Sequence, residues 1–213
     1  MTERTVAFVD LAGFTALTEA HGDADAVKLV ERFVELARDA VAERGEMVKS
    51  IGDAVMLAFA ERTDALDAVG VLFEACFVES GFPVPRAGMH HGPVVARSGD
   101  LFGGTVNLAA RVAGHASGGQ ILATSVVAEV ARDHGLRAVE LGSFELRNLA
   151  EPVSLHEIDT GAVPHGAVID PVCRMRVDRD KATGRLRHDD SEYWFCSLRC
   201  AGLFSAAPDR YVD

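Results

Sequence analysis

Apolar positions along this chain switch between a period of two and a helical period, and the switches mark out a succession of elements. Residues 5–12 (TVAFVDLA) form an apolar run closing on an acid, the pattern of a buried strand. Over 24–43, Ala26, Val30, Phe33, Ala37 and Ala40 recur on one helical face, and Gly45 stops the helix. Residues 46–51 and 54–59 return to strand, joined by the Gly52-Asp53 dipeptide in a tight hairpin turn. A second helix fits 63–79, with Val69, Leu72 and Cys76 spaced for burial. Residues 86–97 (RAGMHHGPVVAR) read as strand with a break at Gly92 and Pro93, then a Gly-rich loop at 99–104 and a helix over 105–114. Strands at 119–123 and 138–142 flank a short helix at 124–133, and 144–158 closes as a hairpin. This alternation, with its several hairpins, predicts an α+β sandwich.

The pattern changes after Thr160. GAVPHG (161–166) reads as a linker, taken to extend over 161–168. Beyond it lie both Tyr residues, the single Trp194 and three of the four Cys. From Val168 onward eight Lys/Arg balance eight Asp/Glu, so the net charge of −11 belongs to the first part. Two modules are therefore expected, residues 1–160 and 169–213. The 48% hydrophobic content supplies a core and argues against disorder. The acidity argues against nucleic acid or an acidic membrane as partner, while leaving room for a single nucleotide. The start, MTERTVAFVD, carries charges and no cleavable apolar core, and no apolar run approaches the ~20 residues that span a bilayer. A cytoplasmic protein is expected.

Six polar residues in three segments carry the chemistry. Asp10 stands in VDLAGFT, Lys49 and Asp53 in KSIGDAVM, and Asp100, Asn107 and Arg111 in DLFGGTVNLAAR. Two carboxylates suit a divalent metal. A Lys/Asp pair suits adenine, which offers an acceptor at N1 and a donor amine at N6; guanine offers the reverse and meets the pair mismatched. Asn107 and Arg111, four apart, share a helix face toward a charged phosphorus centre. Taken singly, each has an ordinary reading: a cap, a turn acid, a solvated strand lysine, a loop acid, a surface helix pair.

VDLAGFT, KSIGDAVM, MHHGPVV, GDLFGGTVNLAARV and LRNLAEPVSLHEI resemble, in order, the successive motifs of class III nucleotidyl cyclases, over residues 4 to 159. The resemblance implies a βαββαβ-type sandwich with a ferredoxin-like core, working as a homodimer with active sites between subunits. It implies that Asp10, Asp53 and the Leu11 carbonyl hold two Mg²⁺ or Mn²⁺, and that the N–H groups of Gly13, Phe14 and Thr15 receive the β- and γ-phosphates. Lys49 and Asp100 fall at the purine-reading positions, favouring ATP over GTP; Asn107 and Arg111 fall at the transition-state positions. Arg147 stands where the family commonly has Lys and would bind the terminal phosphates, with Asn148 departing from the usual Gly beside it. His90 and His91 read as structural or interface residues. By the same resemblance the two acids come from one subunit and Lys49, Asp100, Asn107 and Arg111 from the other. The implied product is 3′,5′-cyclic AMP. A catalytically silent nucleotide-binding or dimerisation module serving as a metal sensor, and a guanylate cyclase, stand as alternatives.

DPVCRM (170–175) and YWFCSLRC (193–200) resemble YHS/TRASH-like metal-binding modules, a small Cys-rich α+β unit. Cys196 and Cys200 bracket the first turn of a helix expected over 197–205, and Cys173 closes the site from a preceding knuckle. Three thiolates favour Zn²⁺ or copper(I). The fourth ligand is open, with His188 a candidate, and Arg174 replaces the Gly often found after the first Cys. The rival reading is a small reduced domain with core cysteines.

Overall fold

The computed structural model describes residues 2–79, 81–147, 149, 151–162 and 168–212. One mixed sheet dominates. Its strands are β1 (Thr2–Leu11), β2 (Gly45–Ile51), β3 (Ala54–Phe59), β4 (Pro85–Arg97), β5 (Asp100–Phe102), β6 (Ile121–Thr124), β7 (Arg137–Phe144) and β8 (Val153–Asp159). They lie in the order β2-β3-β1-β4-β6-β8-β7, with β5 folded back onto the end of β4. All pairings are antiparallel except β4 with β6. The described residues hold six α-helices, the first five against this sheet: α1 (Phe14–His21), α2 (Asp23–Val41), α3 (Arg62–Val78), α4 (Gly104–His115), α5 (Ser125–Asp133) and, in the C-terminal segment, α6 (Leu198–Ala206). The expected α+β architecture is present.

Period-two patterning in β1 explains the layering. Ala7, Val9 and Leu11 face one way, into a cluster with Phe33 of α2, Leu66, Val69 and Leu72 of α3, and Val127 and Ala131 of α5. Val6 and Phe8 face the other way, into a smaller cluster with Met56, Ala58, Val94, Leu101 and Ala109 of α4. Asp10 shares the parity of Val6 and Phe8, so its side chain rises on the α4 side of the sheet.

Two expectations for the middle of the chain need correction. β4 runs unbroken through Gly92 and Pro93, which pair with Arg4 and Glu3 of β1. The strand on its other flank, β6, reaches only Ala87–Met89, so the N–H that proline lacks has no ladder partner to lose there. The Pro93 carbonyl instead accepts from Thr105 Oγ1 at 2.8 Å. Within the expected 99–104 loop, Asp100–Phe102 form β5. The hairpin expected within 144–158 instead pairs β7, the strand expected at 138–142, with β8, with a register shift between Glu140 and Gly142; Asn148 lies outside the described residues.

The C-terminal segment adds β9 (Val168–Ile169) paired with β10 (Arg176–Val177), β11 (Gly184–His188) paired with β12 (Ser191–Phe195), and α6. Of the expected linker, 163–167 lies outside the described residues, and its last position, Val168, is already strand. Val172, Cys173, Phe195, Cys200 and Phe204 bury themselves together with Ala20 of α1, and Pro83 bridges Met175. Among the described residues no helix is long and apolar enough to cross a membrane.

Candidate active site

β1 and β3 are neighbours in register, Asp10 opposite Ala54, so the hairpin turn carrying Asp53 sits beside the end of β1. Gly52 takes φ 61°, the left-handed conformation a tight turn demands. The Leu11 N–H donates to the Asp53 carbonyl at 3.4 Å, which brings the Asp53 carboxyl within reach of the Asp10 charge. Burial, followed by the Asp10 charge, pushes the Asp53 carboxyl above the usual carboxylate range.

Arg86 was not anticipated from the sequence. It stands opposite Asp10 on β4, and its Nε and Nη2 donate to one Asp10 oxygen at 2.8 and 2.5 Å. A third donor reaches the Ala116 carbonyl at 3.3 Å. The only sequence signal for it was the start of the RAGMHHG strand, whose pairing with β1 fixes its partner. One guanidinium thus answers two converging carboxylates. The residual negative charge and the hard oxygen donors fit a divalent cation of the Mg²⁺ or Mn²⁺ kind.

Beside this corner, Gly13 turns the chain into α1 with φ 75°. The first N–H groups of the helix, at Phe14 and Thr15, have no intrahelical partner and are free to bond an anion. A methyl group on Gly13 would meet Arg174 Cγ at 2.5 Å, so the C-terminal knuckle rests directly on this turn.

Lys49 and Asp100 come together, Nζ to Oδ2 at 2.5 Å, although they lie 51 residues apart. Lys49 pairs with Met56 and therefore shares its face with the α4 side of the sheet, where β5 folds back and delivers Asp100. Both side chains remain partly open to solvent, and Lys49 holds the Asp100 carboxyl below its ordinary value. Asn107 and Arg111 do share a face of α4: Arg111 Nη1 donates to the Asn107 carbonyl at 3.2 Å, and its Nε to the Arg147 carbonyl. Among the described residues no hydrogen bond or ion pair joins the acid pair to these four residues. His90 and His91 serve the fold, bonding Thr124 Oγ1 and Thr5 Oγ1 at 2.8 and 3.0 Å.

A second cluster gathers the three C-terminal cysteines. Cys173 Sγ lies 3.4 Å from Cys196 Sγ, which lies 3.7 Å from Cys200 Sγ. Ser197 caps α6, accepting from the Cys200 N–H at 3.1 Å, so the helix begins one residue later than expected. Arg174 takes φ 63°, which explains why a Gly is at home after the first Cys. His188 is not the fourth partner: its ring points to Asp189, Asp209 and the edge of Phe204. The imidazole that joins the sulfurs belongs to His21, and no spacing rule singles it out at 152 residues from Cys173.

The sequence profile of the adenylate and guanylate cyclase catalytic domain matches residues 1–159. The chain is similar to a pH-sensitive adenylate cyclase of Mycobacterium tuberculosis (strain CDC 1551 / Oshkosh), 38% identical over 167 residues, which is 76% of this chain and 42% of that protein. It is also similar to an adenylate cyclase of Streptomyces coelicolor, 38% identical over 125 residues, 58% of this chain and 33% of that protein. It therefore spans less than half of these relatives' length. Among solved structures, adenylate cyclases of Trypanosoma brucei in their monomeric state match with a TM-score of 0.69 at 23% identity, over 84% of this chain and 94% of that one. Likeness at that identity speaks to the fold alone.

Proposed function

This chain belongs to the adenylate and guanylate cyclase catalytic-domain family, and on that premise we propose that it converts ATP to 3′,5′-cyclic AMP and pyrophosphate at sites shared between two copies. The observation that carries the choice of base is the Lys49–Asp100 pair. Adenine replaces each residue's partner with one of equal sense: N1 accepts from the ammonium and N6 donates to the carboxylate. Guanine leaves both unsatisfied in a closed pocket, and such mismatches discriminate strongly.

The remaining residues take roles their positions support. Asp10, Asp53 and the Leu11 carbonyl would hold two Mg²⁺ or Mn²⁺. A divalent pair there supplies activation of the ribose 3′-hydroxyl and neutralisation of the leaving pyrophosphate. The N–H groups of Gly13, Phe14 and Thr15 bind the β- and γ-phosphates, and Arg147 reaches the terminal phosphate from the β7–β8 hairpin. Asn107 orients the ribose. Arg111 exchanges its two carbonyl partners for the α-phosphate, a charged and therefore stronger acceptor. No protein nucleophile takes part; catalysis is positioning and charge stabilisation. Membership of the family supports assembly of each site from both copies, the acid pair from one and the other four residues from its partner. Residues 1–160 form the catalytic unit in this reading, and 169–213 a YHS/TRASH-like unit open to metal or redox control.

Incubating the pure chain with ATP or GTP plus Mn²⁺ and identifying the products tests the proposal. Cyclic AMP from ATP, with little product from GTP, is expected, and Asp10→Ala or Asp53→Ala should abolish turnover. Absence of any cyclic nucleotide across metals and pH would instead favour a silent nucleotide-binding module.

A further inference from the structure

The second cluster has the dimensions of a filled coordination sphere. A tetrahedral Zn²⁺ with bonds of about 2.3 Å to sulfur and about 2.0–2.1 Å to nitrogen places sulfurs about 3.8 Å apart and sulfur about 3.5 Å from nitrogen. Cys196 Sγ lies 3.4 Å from Cys173 Sγ and 3.7 Å from Cys200 Sγ, and His21 Nε2 lies 3.5 Å from Cys196 Sγ and 3.7 Å from Cys200 Sγ. All four donor atoms fall within 4.8 Å of one another. A disulfide needs about 2.05 Å between sulfurs, and the four cysteines of the chain are all free.

The surroundings fix these donors in place. Asp170, wholly buried, accepts from the N–H groups of Val172 at 2.9 Å, Cys173 at 3.4 Å and Cys196 at 2.8 Å, tying the knuckle to the strand end. Thr183 Oγ1 donates to the Cys196 carbonyl at 3.0 Å.

We propose that His21, Cys173, Cys196 and Cys200 form one tetrahedral Zn²⁺ site, in which the fourth ligand comes from the catalytic unit and the ion staples the C-terminal unit to α1. His21 ends α1, and Gly13, under Arg174, begins it. The eight-residue helix is thereby held at both ends, by the ion at one and by the stem of Arg174 at the other. Ala20 in the shared core, the Pro83–Met175 bridge and the Arg176 N–H bond to the Phe82 carbonyl at 3.2 Å complete the dock. On the proposed reading of Gly13–Thr15 as the triphosphate turn, occupancy of the Zn²⁺ site sets the rigidity of that turn.

The test uses the full chain, purified under reducing conditions and without nucleotide. Elemental analysis should find one zinc per chain. Replacement by Co²⁺ should give thiolate charge-transfer bands with tetrahedral d–d bands. His21→Ala should shift the d–d bands and weaken affinity by about 100-fold or more, since even residues behind a ligand cost up to that much. His188→Ala should leave both unchanged. Amide exchange over 13–20 should be slow with zinc and faster after chelation. The proposal falls if Co²⁺ gives no thiolate bands, if His21→Ala matches the parent chain in spectrum and affinity, or if chelation leaves exchange in α1 unaltered. None of these readouts needs catalysis, so a chain without cyclase activity that passes them loses only the reading of the triphosphate turn.

Discussion

Arg86 governs the electrostatics of the acid corner, because it is the single described cation bonded to either carboxylate. Its positive charge also opposes the upward shift of Asp53, so Arg86→Ala raises that carboxyl further and leaves two partly buried acids facing each other. Breaking such a pair costs about 2 kcal/mol here, less than the 3–5 of a fully buried one, since the guanidinium is 32% exposed. Mg²⁺ can replace the lost cation. The melting temperature of Arg86→Ala should therefore be low without Mg²⁺ and rise more on its addition than that of the parent chain; equal increments would count against a cation site between the acids. His90 carries a separate pH dependence. Burial, then the neighbouring His91, lowers its pKa from 6.5 to about 4. Between those values the unfolded chain takes up a proton that the folded chain refuses. The stability is whole above about pH 6.5 and is lost as pH falls toward 4, by on the order of 3 kcal/mol. Urea midpoints at pH 7 and 4.5 should converge in His90→Gln relative to the parent chain.

On the proposed roles of Asn107 and Arg111, the contact between β4 and α4 sets how near they stand to the substrate. A Cβ on Gly88 would stand 1.9 Å from the Ala113 backbone nitrogen and 2.5 Å from its Cα, so strand and helix touch backbone to backbone. Gly88→Ala must push α4 outward, at a cost of about 3 kcal/mol. It should lower kcat through displacement of Arg111 while leaving the Co²⁺ spectrum of the cysteine site intact; unfolding midpoints, steady-state rates and that spectrum separate the effects. Elements of this kind were largely legible from the sequence, because strand parity and helix periodicity are local. The layering over β1 follows from Val6, Ala7, Phe8 and Val9 alternating between two cores. Pro93 misled for a tertiary reason: the flank of β4 that a proline cannot serve is unpaired at that position. Lys49 and Asp100 were legible through motif resemblance, and Arg86 was not, since its role appears only once β1 and β4 are in register. His21 lay beyond reach for the same reason. It comes to the three sulfurs because α1 packs Ala20 against Val172 and Phe204, a contact no spacing along the chain encodes.

At the scale of the whole molecule, the proposed division of labour makes a quantitative demand. If one copy supplies Asp10 and Asp53 and the other Lys49, Asp100, Asn107 and Arg111, a symmetric dimer holds two equal sites. In a heterodimer of Asp53→Ala with Arg111→Ala, one site combines both lesions and the other combines two unaltered halves. Random mixing of the two inactive chains places half the dimers in that state, each with one working site. Activity should therefore return to about a quarter of the parent value, rising toward half if heterodimers are isolated by differential tags. If both catalytic sets instead served one substrate within a single chain, mixing would restore nothing, however complete the exchange of subunits. Dilution adds a second check, since a site built from two copies loses activity with the dimer. The rate should fall faster than in proportion to enzyme concentration, and the Zn²⁺ site, which lies within one chain, should survive the same dilution.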